Sequence, residues 1–429
     1  MTSTDLEHDV LTESFTRTPT GLIRTFHIGD EKYSSEVSTR HDSGDERGDW
    51  WRAYLDGEVP RAHSRRGKIR SLDLFCGPGG LALGFSQAAR ELGYVMVSEA
   101  ALDGDGGAHR VYRSNHDTRT SATAAIGGAL IDYQVRGMGD QARFRYEPEI
   151  IDERFAHLPG SVDVVLAGPP CQGHSNLNNH TRRTDRRNEL YLAVPAFAIA
   201  TGASMVVIEN VPAVVHDRQQ VVASTERLLR DAGYYVTTGR FFADRMGWPQ
   251  TRQRFFLLAR KDRPPLDPAV VQGALSEERA RSLWWAISDL EDAEIDGLMT
   301  LPIDWSAENK RRIQWLFDNN AYDLPPSERP ECHQDGTTYN AVYGRLHLDR
   351  PAPTITSGFM TPGRGRYIHP TRMRTLTARE AARLQGFPDT YRFHPDESRP
   401  SLKTQLTKWI GDAVPMPLGH AAGLAVLGA

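Results

Sequence analysis

Between Ser71 and Ala259 short apolar, strand-like runs alternate with amphipathic, helix-like runs, and this alternation limits the possible folds more than any other feature of the chain. The strand-like segments are 71–75, 94–98, 162–167, 205–208, 234–242 and 254–259; the helix-like segments are 81–92, 108–115, 191–200 and 220–232. Strands separated by helices need crossover connections, which generate a mostly parallel sheet with helices on both faces. The expected fold class is therefore α/β, a doubly wound, Rossmann-like sheet. Such sheets bind ligands outside the carboxyl ends of their strands.

The flanking regions read differently. Residues 1–66 lack apolar periodicity and are rich in Asp, Glu, Ser, Thr and Arg, which predicts a polar, partly disordered N-terminal extension. Trp50-Trp51 pins that extension either to the body of the protein or to a partner. The first lobe is expected over 67–260. Proline-rich patches such as Arg263-Pro264-Pro265 and Leu324-Pro325-Pro326 then mark a second, smaller lobe over 261–400. Within it a capping box, Thr377 to Glu380, opens a helix. The apolar end of the chain, 401–429, is expected to return to the first lobe as a helix, and no internal repeat is visible.

Composition narrows the setting. Three scattered cysteines, Cys76, Cys171 and Cys332, suit a reducing cytoplasm and form neither a disulfide framework nor a zinc site. No uninterrupted apolar run reaches about eighteen residues, so neither a membrane span nor a secretory signal is expected, and the expected location is cytoplasmic. A formal net charge of −4 argues against a globally basic nucleic-acid binder. Local basic clusters exist, however. Residues 345–383 hold eight arginines against two acids, and Arg182, Arg183, Arg186 and Arg187 crowd one loop.

Two turns carry the chemistry. Gly168-Pro169-Pro170-Cys171-Gln172-Gly173-His174-Ser175 places a thiol after two prolines at the end of a strand. Each proline fixes its own φ and pushes its predecessor away from helix, so the thiol is presented on a stiff turn. An isolated cysteine is usually a small buried hydrophobe, and that presentation is what argues for a reactive one. The second turn, Asp73-Leu74-Phe75-Cys76-Gly77-Pro78-Gly79-Gly80, joins the first strand to a helix. Its glycines allow a ligand close to the backbone. Phe75 suits stacking on an adenine better than cradling a pyrophosphate, which points to S-adenosylmethionine rather than a dinucleotide. A carboxylate after the second strand, Asp103 or Asp105, is placed to accept ribose hydroxyls, unless Asp103-Gly104-Asp105 is only a solvated turn.

These two turns, together with Glu209-Asn210-Val211, Gln250-Thr251-Arg252-Gln253-Arg254, Arg350-Pro351-Ala352-Pro353-Thr354-Ile355-Thr356 and Gly411-Asp412-Ala413-Val414-Pro415, follow a known order. Over residues 70–429 the chain resembles the C5-cytosine-specific DNA methyltransferases of bacterial type. The resemblance implies transfer of a methyl group from S-adenosyl-L-methionine to carbon 5 of a cytosine flipped out of duplex DNA. It makes Cys171 the nucleophile that adds to carbon 6, and Glu209 a protonated acid, its pKa raised in a closed pocket, that meets charge at N3 and the exocyclic amine. Arg252 and Arg254, two residues apart, would share a face and hold the base carbonyl and a phosphate, with Gln250 supporting their loop. The cofactor pocket would be formed by Phe75, Gly77, Gly79, Gly80, Asp103, Pro170, Asn188, Leu190, Asp412 and Val414. The first lobe becomes the catalytic and cofactor-binding domain, and the second the target-recognition domain.

The resemblance also implies double-stranded DNA as the partner, a monomer in the nucleoid-associated cytoplasm, and a place in a restriction-modification or phage-defence system. The chain departs from the family pattern at Asp412, which replaces an Asn and can accept but not donate hydrogen bonds, and at His174, which replaces a Phe. The acid that contacts the adenine falls in the long segment 115–163, with Asp132 and Asp152 as candidates. Two alternatives stand beside this reading. One is a transfer-RNA methyltransferase of the same fold, disfavoured by Gly173 where that branch has Pro; the other is a silent DNA-binding paralogue, suggested by Asp412.

Overall fold

The computed structural model describes residues 11–126, 128–170, 190–295, 297–334, 341–393 and 402–429. The chain divides into two compact units. The first comprises the chain up to Phe242, with Gln253–Ser276 and Val414–Ala429; the second comprises Ala243–Arg252 and Glu277–Ala413.

The first unit begins with a folded module where a partly disordered extension was expected. Strands β1 (Leu11–Thr18), β2 (Gly21–Ile28), β3 (Glu31–Ser38) and β4 (Arg61–Ala62) form an antiparallel sheet in that order. Helix α1 (Glu46–Leu55) interrupts them, its start capped by the Asp45 carboxylate, which accepts from Gly48 N at 2.8 Å. Leu22, Arg24, Phe26 and Ile28 point to the buried face of β2, while on the other face Thr25 and Ser34 are hydrogen-bonded at 2.9 Å. The module looked polar because its outward positions are Ser, Thr and charged residues, and because one inward position of the period-two pattern is an arginine. Trp50 and Trp51 are both buried against this unit, Trp51 edge-on to His420 with ring centroids 5.3 Å apart. They pin the module to the body.

The central sheet follows. Strands β5 (Gly67–Leu74), β6 (Tyr94–Asp103) and β7 (Thr118–Thr123) alternate with helices α2 (Gly80–Glu91) and α3 (Gly106–Asn115). The segment after β7 makes two short ribbons, β8 (Ile131–Asp132) with β11 (Glu149–Ile150) and β9 (Val135–Arg136) with β10 (Arg143–Phe144). Then come β12 (Val164–Ala167), α4 (Ala193–Thr201), β13 (Met205–Asn210), α5 (Val221–Asp231) and β14 (Tyr235–Phe242). After the two-residue strand β15 (Gln250–Thr251), which belongs to the second unit, β16 (Gln253–Arg260) completes the sheet. Its order is β14-β16-β13-β12-β5-β6-β7, with β13, β12, β5, β6 and β7 mutually parallel and β16 antiparallel to both neighbours. The central strand β12 is apolar and buried on both faces, as is β13 over 206–208, which is what burial between two helical layers requires.

The boundaries differ from those read in the sequence. The first unit does not end near Arg260, because α6 (Pro268–Leu275) packs back on the sheet: Pro268 lies against Gly239, and Gln272 Oε1 accepts from Phe242 N at 2.8 Å. The second unit contains α7 (Leu283–Ile287), α8 (Ala307–Asp318), β17 (Gly344–Arg345), β18 (Ala352–Pro353), β19 (Arg366–Ile368), α9 (Ala378–Leu384) and α10 (Leu402–Asp412). Strand pairs β15–β18 and β17–β19 are parallel, and Ile313, Leu316, Leu324, Val342, Tyr343 and Ile368 form a small core of its own. The capping box at the start of α9 is present. Only α11 (Met416–Leu427) returns to the first unit.

Helix α11 packs along α2 at unusually short range. A Cβ on Gly84 would lie 2.2 Å from the Met416 carbonyl oxygen and 2.6 Å from His420 N; Gly419 faces Leu81 and Gly84, and Gly423 faces Phe85 and Ala88. The pairing advances in the same direction on both helices, so they run parallel. By length and composition Lys403–Leu427 could cross a membrane, yet 83% of its most apolar window is buried inside the protein. Replacing Gly84 by Ala is expected to destabilise the protein by about 1–3 kcal/mol through overpacking. Gly273→Ala, in α6 with nothing within 4 Å of the new methyl, is expected to gain about 0.5–1 kcal/mol. Urea unfolding of the two variants checks the pair.

Candidate active site

The strand order reverses between β5 and β12. From β5 the chain leads through α2 to β6 on one side, and its later return supplies β12 on the other. The carboxyl ends of these strands therefore border the crevice where such folds bind ligands. Gly168, just past β12, marks the centre: a Cβ there would be 3.6 Å from the Phe75 carbonyl oxygen, 3.8 Å from Glu209 Oε2 and 4.0 Å from Val414 Cγ2. Four distant stretches of sequence thus converge at one glycine.

The turn after β5 is held from several sides. Phe75 has φ 55°, a left-handed conformation that costs a non-glycine residue energy, and its ring packs against the main core. Gly77 (φ 53°) and Gly79 (φ 96°) complete the reversal, and Gly79 N donates to Cys76 O at 3.0 Å. Gly80 begins α2. The Asp103 carboxylate, at the end of β6, accepts from Gly77 N at 2.8 Å and from Asp105 N at 2.7 Å, while Asp105 caps α3 through Gly107 N and Ala108 N. Asp105 is therefore a structural cap, and Asp103 is the carboxylate that faces the turn.

Three further supports escaped the sequence reading. Asp73 is buried in β5; burial and then the Asp103 charge push its carboxyl well above the ordinary range, against a hydrogen bond from Tyr112. His116 is hydrogen-bonded to the backbone of Gly79, and burial holds its ring down at about 4. Asn210, at the end of β13, donates from Nδ2 to Pro169 O at 3.2 Å and accepts from Val211 N at 2.8 Å, so it fixes the approach to Cys171. An Asn directly after the strand's acid was the available signal. Cys76 lies in the turn after β5. Burial, then the charges of Asp73 and Asp103, push its thiol well up, which leaves it a poor nucleophile.

Glu209, the penultimate residue of β13, is 8% exposed and pairs through Oε1 with Arg254 Nε at 2.8 Å. Arg252 does something different. It lies in the second unit, is 3% exposed, and donates to the backbone carbonyls of Ile355 (2.6 Å), Gly411 (3.2 Å) and Ala413 (3.0 Å). The expectation that Arg252 and Arg254 act from one shared face fails for this reason: one clamps backbone, the other faces the acid. Gln250 lies beside the clamp, bonded to Leu384 O at 2.8 Å and Gln385 Oε1 at 3.2 Å. Asp412 pairs with Lys408 at 3.1 Å.

The basic stretch 345–383 is mostly committed internally. Arg345 donates to Pro370 O, Arg366 pairs with Asp323, Arg372 with Asp292, Arg374 with Glu380, Arg379 with Asp389, and Arg383 with Asp289 and Asp389. Arg350 and Arg364 are left exposed. Asp132 takes the Tyr146 hydroxyl at 2.7 Å and Asp152 pairs with Arg154 at 2.6 Å. Leu190 immediately precedes Tyr191, which is buried near the start of α4. Cys171, His174, Asn188 and the Arg182–Arg187 cluster lie outside the described residues.

The sequence model of the C-5 cytosine-specific DNA methylases matches residues 69–427. This chain belongs to that family. Among curated relatives, the Type II methyltransferase M1.BsuMI of Bacillus subtilis is 38% identical over 357 residues, covering 83% of this chain and 80% of the relative. The Type II methylase M.HgiDII of Herpetosiphon aurantiacus is 29% identical, covering 83% and 94%. Among solved structures, the S. pombe Dnmt2 methyltransferase shares the fold with a TM-score of 0.52 at 16% identity, covering 83% of this chain and 98% of its own. The chain is accordingly a DNA (cytosine-5-)-methyltransferase that uses S-adenosylmethionine.

The crevice of this methylase fits that cofactor. It offers an aromatic ring at Phe75, backbone at Gly77 with nothing within 4 Å of the missing Cβ, and at Asp103 a carboxylate that faces the turn. Asp103→Asn cannot accept both backbone bonds, since one of its two terminal atoms is a donor. Loss of one charge-assisted bond is worth about 1.5–3 kcal/mol. Cofactor Kd, measured by calorimetry, is expected to rise about 10- to 100-fold, with an unchanged far-UV spectrum.

Proposed function

We propose that this enzyme methylates cytosine within a short duplex sequence by covalent catalysis, with Cys171 as nucleophile and Glu209 as the acid facing the base. The observation that carries the reading is the register of two parallel strands. Ala167 of β12 lies opposite Ile208 of β13, so the turn leading to Cys171 and the Glu209 carboxylate leave the sheet side by side. Addition across a pyrimidine ring requires a nucleophile and an acid, and the sequence puts Cys171 four residues beyond β12.

Carbon 5 of cytosine is a weak nucleophile. When the Cys171 thiolate bonds to carbon 6, the ring gains an electron pair, and carbon 5 acquires enamine character. Glu209 meets that charge by hydrogen bonding or protonation at N3, and Arg254 holds the carboxyl group in place from the far side. S-adenosylmethionine supplies the electrophilic methyl group that carbon 5 takes up. Removal of the carbon 5 proton then expels the thiolate and restores the aromatic ring. Arg252 keeps its own loop in register through three carbonyls and acts as a positioning residue.

Because the target atom is buried in the stack, the base must flip out, at a cost of a few kcal/mol. The exposed Arg350 and Arg364 and the Arg182, Arg183, Arg186 and Arg187 cluster are the proposed phosphate contacts. The Type II names of the relatives support a role as the protective half of a restriction-modification or related phage-defence system. A monomer acting on the nucleoid in the cytoplasm completes the proposal.

The chemistry has a direct test. Genomic DNA carrying 5-fluorocytosine in place of cytosine is expected to form a complex with the wild type and S-adenosylmethionine that survives denaturant, because fluorine at carbon 5 cannot leave as a proton. Cys171→Ser is expected to form none. Equal trapping of the two proteins would remove Cys171 from the mechanism.

A further inference from the structure

The folded module of residues 11–66 lies before the stretch that the family's sequence model matches, 69–427. Its attachment centres on one buried cation. Arg24, 1% exposed in the middle of β2, bonds through Nε to Glu13 Oε1 at 2.6 Å and through Nη1 to Glu91 Oε1 at 3.0 Å. Its guanidinium lies over the rings of Phe26 (4.6 Å) and Trp51 (4.7 Å), with Phe15 and Trp50 a little further away. Arg47 on α1 pairs with the other side of Glu13.

Glu91 is the junction. It is the last residue of α2, and it also accepts from Gln87 Nε2 at 2.8 Å and meets His420 Nε2 at 2.7 Å, on the second turn of α11. Burial alone would raise this carboxyl, but Arg24 and His420 hold it at about 2. Arg24 therefore ties the module to both helices of the parallel, glycine-packed pair. These are the two helices whose first residues follow the cofactor crevice: Gly80 continues the turn from Phe75, and Met416 comes two residues after Val414.

An apolar side chain would fill the position of Arg24 without removing a cation from water, so the ion pair is better explained by the geometry it fixes than by stability. A bidentate-capable guanidinium between two carboxylates sets both distance and orientation. Helix α2 is about 18 Å long and rigid, so a shift of Glu91 at its far end moves Gly80 at its start. We propose that the N-terminal module is a brace for cofactor binding, in which Arg24, acting through Glu91 and His420, positions helices α2 and α11 and with them the 75–80 turn and Val414. Arg24 touches no reacting group and is a positioning residue.

The inference rests on the S-adenosylmethionine assignment, whose failure would show separately as absence of binding by the wild-type protein. The test compares cofactor Kd, kcat at saturating cofactor and thermal midpoint for the full chain and for Arg24→Met, Arg24→Lys and His420→Gln. Arg24→Met and His420→Gln are expected to weaken cofactor binding about tenfold, within the usual range of coupling between distant sites. Arg24→Lys is expected to fall between them and the wild type, and kcat at saturating cofactor should stay within about twofold in all three. A merely structural role predicts a lower midpoint with an unchanged Kd. If Arg24→Met does not fold, His420→Gln and Arg24→Lys decide the matter. A wild-type Kd in any folded variant that breaks the junction overturns the proposal.

Discussion

The closeness of α2 and α11 is the constraint on which the first unit depends. Gly84, Gly419 and Gly423 let two backbones approach to distances that any Cβ would forbid. That contact brings the end of the chain back to its first sheet strand, so Val414 reaches the same glycine, Gly168, as Phe75 and Glu209. A crevice assembled from residues 75, 168, 209 and 414 requires a closure of this kind, because no local interaction links those positions. The price in conformational freedom at the glycines is offset by the apolar area that two fully packed helices remove from water.

Electrostatics then divides the labour of similar residues. Two arginines separated by a single residue have opposite assignments: Arg252 is spent on three carbonyls in the second unit, and Arg254 on the Glu209 carboxylate in the first. Two cysteines near strand ends diverge likewise. Cys76 is enclosed with acids that disfavour its thiolate, whereas the turn leading to Cys171 is stiffened by Pro169 and Pro170 and tied down by Asn210. A thiol's surroundings, more than its chemical identity, set its reactivity.

Six of the seven strands of the central sheet were legible as short, largely apolar runs separated by amphipathic helices; β7 was not, because its sequence, Thr118–Thr123, is polar. The start of α9 was legible because a capping box is a local device. The N-terminal module was not, since a half-exposed sheet with Ser and Thr outward, and an arginine inward, has the mean hydropathy of a solvated segment. Nor was the boundary at Ser276, because α6 is held by contacts to Gly239 and Phe242 that only the folded chain brings together. The arginines of 345–383 read as a DNA-facing patch, but charge counting cannot see partners such as Asp289, Asp292 and Asp323, which lie outside that stretch. At the site, the converging motifs were legible as ordered residue types; the buried supports Asp73, Tyr112 and His116 were not, because their role depends on what stands behind the turn.

The central claim is that this chain moves a methyl group to cytosine in DNA through the thiol of Cys171. Transfer of a labelled methyl group from S-adenosylmethionine, offered in parallel to unmethylated genomic DNA and to transfer RNA, tests it most directly. The account predicts label in DNA alone, recovered as 5-methylcytosine, and none with Cys171→Ser. Label in transfer RNA instead, or label in DNA that survives loss of the thiol, would contradict it.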